Sequence, residues 1–229
     1  ASTKMAAAGQ SFKKVGASLT SMGKSITRNV AMPLGIAAAA SLKFAATFET
    51  SLTKMITLVG LSAEEVEGFK AEILELSGET AKAPAELADA MFFITSAGLR
   101  GADALEALTA SAKASAIGLG QTETIADAVT SAVNAYGSET LSATRATNIM
   151  ALAVRAGKLE ASSLAPVLGR LLPTASEMGI SFEQVAGTLA VMSRTGLDAA
   201  EASTSLNAIL TTLKKPTTQA ADALENAEL

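Results

Sequence analysis

The 229-residue sequence contains no cysteine and no histidine. The first absence excludes disulfides and thiolate metal sites. The second removes the commonest general base and the commonest metal ligand together. Tryptophan is also absent, and aromatics make up only 3% of the chain. Bases of a nucleic acid would therefore find little to stack on, which argues against sequence-specific reading of DNA or RNA. Proline is sparse, at five residues, and no stretch alternates at period two long enough to suggest a strand.

What is present is small and aliphatic. Hydrophobic residues reach 49%, mostly Ala, Leu, Ile, Val and Met. Alanine has the best helix propensity and lets helix backbones approach closely. The composition predicts an all-α fold: a multi-helix bundle of helical hairpins with an elongated N-terminal helical arm.

Charge is unevenly placed. Residues 1–60 hold seven bases and one acid, a net +6, whereas residues 61–229 hold eleven bases and 21 acids, a net −10. This predicts a basic helical arm over 1–60, kinked at Pro33, and a compact helical body over 61–215. Residues 216–229 then form a linker or the start of another helix. The arm's Lys13, Lys14, Lys24 and Arg28, with Phe44 and Phe48, are the candidate interaction residues. Its bases suit an acidic partner, non-specific DNA contact or an anionic lipid surface.

No secretory leader is expected at the start. The run from Val30 to Leu42 is apolar or small but falls short of the roughly 18 residues a spanning helix needs. It is the basis of an alternative reading, a membrane-active helical pore centred on 30–59.

Along the chain, Phe44, Phe48, Leu52, Met55, Ile56 and Val59 share one face of a helix predicted over 34–59, stopped by Gly60. Ser62 and Glu65 form a capping box. Val66, Phe69, Ile73 and Leu76 make the buried stripe of the next helix, expected to end at Ser77-Gly78. Pro84 suits a helix first turn. It opens a helix whose Leu87, Ala90, Met91 and Ile94 share one face. Phe92 and Phe93 make that helix apolar nearly all round, so it is expected to be central, with Gly98 as its left-handed cap. Further helices are predicted over 102–117, 122–136, 140–156, 162–178, 182–195 and 199–214. Ser181 and Gln184 cap one of them, and Pro173 is expected to split another after Leu172. A shift of about 98 residues lays Gly98 on Gly196 and suggests a reused hairpin, with a weaker copy around Gly137.

Catalytic motifs fail on their context. Ser-x-x-Lys occurs at Ser11–Lys14, Ser21–Lys24 and Ser51–Lys54, without the companion elements of a serine acyl-enzyme. Gly23-Lys24-Ser25 lacks the earlier glycine and preceding strand of a phosphate loop. Acid pairs such as Glu64/Glu65 sit at a helix start, where acids are favoured structurally. The expectation is no catalysis, no cofactor and no metal.

Several segments in order carry a resemblance. They are Phe44-Ala45-Ala46-Thr47-Phe48-Glu49 with the following Lys54, then Leu61-Ser62-Ala63-Glu64-Glu65, and Thr80-Ala81-Lys82 leading to Ala85-Glu86-Leu87-Ala88. Ala97-Gly98-Leu99, Ala135-Tyr136-Gly137, Met178-Gly179-Ile180-Ser181 and Lys214-Lys215-Pro216 complete the set. Over about 40–217 the chain resembles the conserved helical core of phage tail tape measure proteins of the minor-tail type. The resemblance implies a structural virion protein in the tail tube lumen or at the tail tip. Such a protein takes part in tail length determination, tail assembly and genome ejection. It also implies a homo-oligomer, expected as a trimer or hexamer, with tail tip or baseplate and tail tube proteins as partners. DNA or membrane contact would follow on ejection. Members of that family are far longer, and 229 residues at ~1.5 Å per helical residue cannot span a tail. The ruler span is therefore expected to lie in chain beyond this segment.

Overall fold

The computed structural model describes residues 45–215. The arm residues Lys13, Lys14, Lys24, Arg28 and Phe44, the Pro33 kink and residues 216–229 lie outside them. The chain divides into two units between Thr47 and Phe48, and the architecture below is that of the unit beginning at Phe48.

Nine helices and no strand make up the described residues. A helix over 45–57 (α1) leads to α2 (Ala63–Thr80), α3 (Pro84–Ser96), α4 (Gly101–Ala116) and α5 (Thr122–Tyr136). Then come α6 (Ala143–Ala156), α7 (Ala161–Glu177), α8 (Phe182–Arg194) and α9 (Ala199–Lys214). From α2 to α9, helices pack substantially only against those adjacent in the chain or next but one. This pattern defines two layers. Helices α3, α5, α7 and α9 form one, which α1 joins through Ser51 and Lys54; α2, α4, α6 and α8 form the other. The unit is a stack of antiparallel hairpins, an α-solenoid in which each hairpin buries its apolar face against its neighbours.

The repeat length is about 39 residues. In the layer of α2, successive helices start at Ala63, Gly101, Ala143 and Phe182; in the other they start at Pro84, Thr122, Ala161 and Ala199. The turns keep the same beat. Gly60, Gly98, Gly137 and Gly179 all take positive φ after odd-numbered helices; Ala81, Gly118 and Gly196 do so after even-numbered ones. The shift of 98 residues is therefore two and a half repeats. It superposes α3 on α8, helices of opposite layers, whereas the copy around Gly137, 39 residues past Gly98, has the true spacing.

Polar ties between repeats follow the same interval. Ser51 donates to Asp89 at 2.5 Å (α1 to α3), and Thr122 donates to Glu86 at 2.5 Å (α5 to α3). Arg145 donates to Glu183 at 2.8 Å (α6 to α8), and Lys214 to Glu177 (α9 to α7). Each joins neighbouring helices of one layer, 36 to 38 residues apart in sequence.

Local chemistry accounts for most helix bounds. The capping boxes Ser62–Glu65 and Ser181–Gln184 form as the sequence predicts, and Glu160–Ser163 and Asp198–Glu201 add two more. Pro84 occupies the first turn of α3. Val66, Phe69, Ile73 and Leu76 are buried, as are Leu87, Ala90, Met91 and Ile94. Four expectations are corrected. Helix α2 runs through Gly78 to Thr80, held by the buried Thr80 hydroxyl bonding to Leu76 O at 2.7 Å. Helix α6 starts at Ala143, not 140, because Ser142 caps it and a turn from Gly137 to Leu141 precedes it. Helix α7 is unbroken through Pro166 and Pro173. Leu164, Leu168, Leu171, Leu172 and Ala175 bury one flank of it, and that packing outweighs the amide bonds the prolines remove. Helix α3 is central on one side only, since Phe93 is exposed.

Small residues set the helix spacing. Gly157, at the α6–α7 turn, lies so near α8 that a Cβ there would meet Ser193 Oγ at 2.6 Å and Ala190 Cα at 2.9 Å. Ser193 uses the same approach to accept from the Lys158 N–H at 3.0 Å. Gly169 of α7 faces Ser131 of α5 less closely, and a Cβ there would meet its Oγ at 3.6 Å, an ordinary contact.

Candidate functional site

The two layers differ on their outer sides. In the odd layer α5 and α7 carry no large exposed apolar residue, although α1 carries Ile56, α3 Phe93 and α9 Ile209 and Leu213; every even-numbered helix carries one. These are Leu74 on α2, Ile117 at the end of α4, Leu152 on α6 and Val191 on α8, exposed by 49%, 82%, 61% and 63%. Leu74, Lys113, Leu152 and Val191 stand 39 residues apart in turn, and Ile117 is one helical turn past Lys113. Positions one repeat apart are structurally equivalent in a solenoid. The residues consequently form one stripe running across the layer.

Grooves between these helices deepen the stripe. The one between α6 and α8, about 310 Å³, is floored by Ala153, Ala186, Gly187 and Ala190 and flanked by Leu152 and Val191. Ile117 and Leu152 share a second groove with Ala151 and Arg155. A third, between α4 and α6, holds Thr109, Ala110, Lys113, Thr144 and Asn148. The groove between α2 and α4 is lined instead by Glu72, Glu75, Glu79 and Lys113.

The helices of this layer also differ in charge. Helices α2 and α4 hold eight acids (Glu64, Glu65, Glu67, Glu72, Glu75, Glu79, Asp103 and Glu106) against two bases, Lys70 and Lys113. Helices α6 and α8 hold three bases (Arg145, Arg155 and Arg194) against one acid, Glu183. Besides Glu65, which closes the capping box of α2, two of these acids have structural duties. The Glu106 carboxylate accepts the Thr144 N–H at 3.1 Å and so caps α6 from the neighbouring helix. Burial works to raise its pKa, but the bonds from Thr144, Ser142 and the Ala143 N–H outweigh it and hold the group below the ordinary glutamate value. Glu183 is held down in the same way, burial being overcome by its own N–H, Arg145 and Ser181. Tyr136 is pushed up to about 12 by burial, with the nearby Glu183 charge adding to it. Its hydroxyl donates to Ile180 O at 2.8 Å.

Ser51, of one Ser-x-x-Lys match, donates its hydroxyl to Asp89, and Lys54 lies over the Phe92 ring at 5.8 Å. Among the described residues no group of acids could hold a metal ion. Among them, too, no helix is long and apolar enough to cross a membrane.

Of the six interaction candidates, only Phe48 falls within the described residues. It is buried with Leu52 and Met55, so it serves the core. It belongs to the unit that begins at Phe48. The exposed stripe on the even-numbered helices escaped the sequence reading. The 39-residue spacing of Leu74, Leu152 and Val191 was the signal available.

A family model described as phage-related minor tail protein matches residues 70–229. The chain belongs to that family. Two relatives agree with it. The tape measure protein of Pneumococcus phage Dp-1 is 29% identical over 204 residues, 89% of this chain but 18% of the relative. The probable tape measure protein of Clostridium phage phiCD119 is 30% identical over 222 residues, 95% of this chain and 23% of the relative. The chain thus spans about a fifth of the length of these tape measure proteins. No solved structure matches it. It is similar to these tape measure proteins over nearly its whole length, and its described helices form a hairpin stack.

Proposed function

We propose that this segment is a folded module of a tape measure protein, placed in the tail tube lumen or at the tail tip. There it takes part in tail assembly, in setting tail length and in genome ejection. The observation that carries the reading is that nearly the whole chain aligns with a fifth of two tape measure proteins. A stack of hairpins is compact, so the long ruler span belongs to the rest of such a protein. Its proposed partners are further copies of itself, as a trimer or hexamer, and the tail tip or baseplate and tube proteins. The basic residues Lys13, Lys14, Lys24 and Arg28 are proposed for non-specific contact with DNA, or with an anionic membrane after ejection.

Removing one repeat from the gene in frame, residues 143–181, tests this in the phage. A hairpin that stays stacked adds only ~10 Å to a solenoid, whereas the same 39 residues as a single helix would span roughly 60 Å. The expected result is tails shortened by no more than the smaller figure and assembled in lower yield. Shortening by the larger figure would overturn the compact module. Normal yield and full infectivity would overturn the role in assembly.

A further inference from the structure

We propose that two copies of this chain pair face to face and antiparallel through the layer of even-numbered helices. The inference rests on the self-association proposed above and names the surface that makes it. Isolated exposed apolar residues are ordinary, but Leu74, Leu152 and Val191 recur at 39-residue intervals and so lie on equivalent positions of successive repeats. A solenoid needs no such residues for its own packing, because each hairpin already buries its inner flank.

Charge selects both the occupant and its orientation. The grooves of this face hold Glu72, Glu75, Glu79 and Glu106 against Lys113 at the α2–α4 end, and Arg155 and Arg194 against Glu183 at the α6–α8 end. Laid parallel, two such faces would set α2 of one copy against α2 of the other, carboxylate against carboxylate. A two-fold axis reverses the order. It sets α2 against α8 of the second copy and α4 against α6, so the acidic end meets Arg155 and Arg194. The 39-residue register then pairs Leu74 with Val191 of the second copy, and Leu152 with the Lys113–Ile117 turn. The contact is isologous, so it closes at two copies; of the two assemblies proposed above it selects the hexamer, built as three such pairs through other surfaces, over the trimer.

The sequence supplies a clean test, because it has no cysteine. In the full 229-residue chain, a Leu74→Cys/Val191→Cys variant is oxidised and run without reductant, beside each single variant. Light scattering gives the mass of the unmodified chain and of an Arg155→Glu/Arg194→Glu variant, with helicity and melting as folding controls. The expected result is an even-numbered assembly and a covalent dimer from the double-cysteine chain only. The charge-reversed variant should keep its fold but bind its copies about tenfold or more weakly. Adding Glu72→Lys/Glu75→Lys to the charge-reversed chain should restore pairing. An assembly whose mass ignores the arginine changes, or a Leu74→Cys chain that crosslinks to itself alone, overturns the antiparallel face and leaves self-association standing. A monomer at all concentrations overturns both.

Discussion

Ile125 on α5 and Leu152 on α6 are aliphatic side chains of nearly equal size on adjacent helices, yet Ile125 is wholly buried and Leu152 is 61% exposed. Helix α5 packs against α3, α4, α6 and α7 and buries Ile125, Ala126, Ala128, Val129, Ala132 and Val133. It shows solvent mainly Glu123, Asp127 and Asn134. Helix α6 buries Ile149 and Met150 inward and turns Leu152 out between Arg145 and Arg155. The two layers thus divide the labour. The middle of the odd layer holds the stack together, and the even layer holds its stack while keeping an apolar side turned outward.

That comparison can be broken from the inside first. Ile125→Ala should lower unfolding free energy by about 2–5 kcal/mol, the range for truncating a fully buried aliphatic side chain, as read by urea denaturation followed by circular dichroism. Gly157→Ala should cost roughly 1–3 kcal/mol, because the added methyl overpacks against backbone and a buried hydroxyl of α8. A drop in melting temperature measures it, and an unshifted melt would mean that the α6–α7 turn stands off from α8. Ser181→Ala should cost ~1 kcal/mol by removing one half of the capping box of α8, and native-state hydrogen exchange would place that loss in the first turn of the helix.

Acid sharpens the comparison without a substitution. The folded-state pKa of Glu106 is depressed, so its contribution is fully present above the ordinary value of 4.5 and is lost as pH falls below it through the folded value. Stability of the unaltered chain should therefore fall more steeply below pH 4.5 than that of Glu106→Gln. Equal slopes would remove the carboxylate from the cap of α6. The smallest effect belongs to the outer face. Leu152→Ser should change stability by less than about 0.5 kcal/mol and yet weaken self-association, a combination that an inward-facing residue cannot give.

The helices were largely legible because their ends are written in strong local chemistry. Ser62–Glu65, Pro84, Ser181–Gln184 and a glycine after nearly every helix mark boundaries within a residue or two. Gly78 and Pro173 misled for one shared reason. Both are helix breakers in isolation, and both lie in helices whose opposite flank is deeply packed, where tertiary burial exceeds the local penalty. The period was hidden by composition. In an Ala- and Leu-rich chain many offsets align tolerably, and the glycine turns of both layers alternate at about half the repeat. An offset of two and a half repeats therefore matched turn to turn while exchanging the layers. The outward leucines and valine could be read only once 39 was the known interval, since hydrophobicity alone assigns each of them to a core.

Because each helix from α2 to α9 packs substantially only against its neighbours and next neighbours, stress applied to the two ends of the stack is borne in series. Such a molecule gives way like a zip and not like a block. Its tensile strength is set by the weakest single junction, however many hairpins it contains, and each failure releases one hairpin's length of slack. Lengthening the stack would add extension without adding strength.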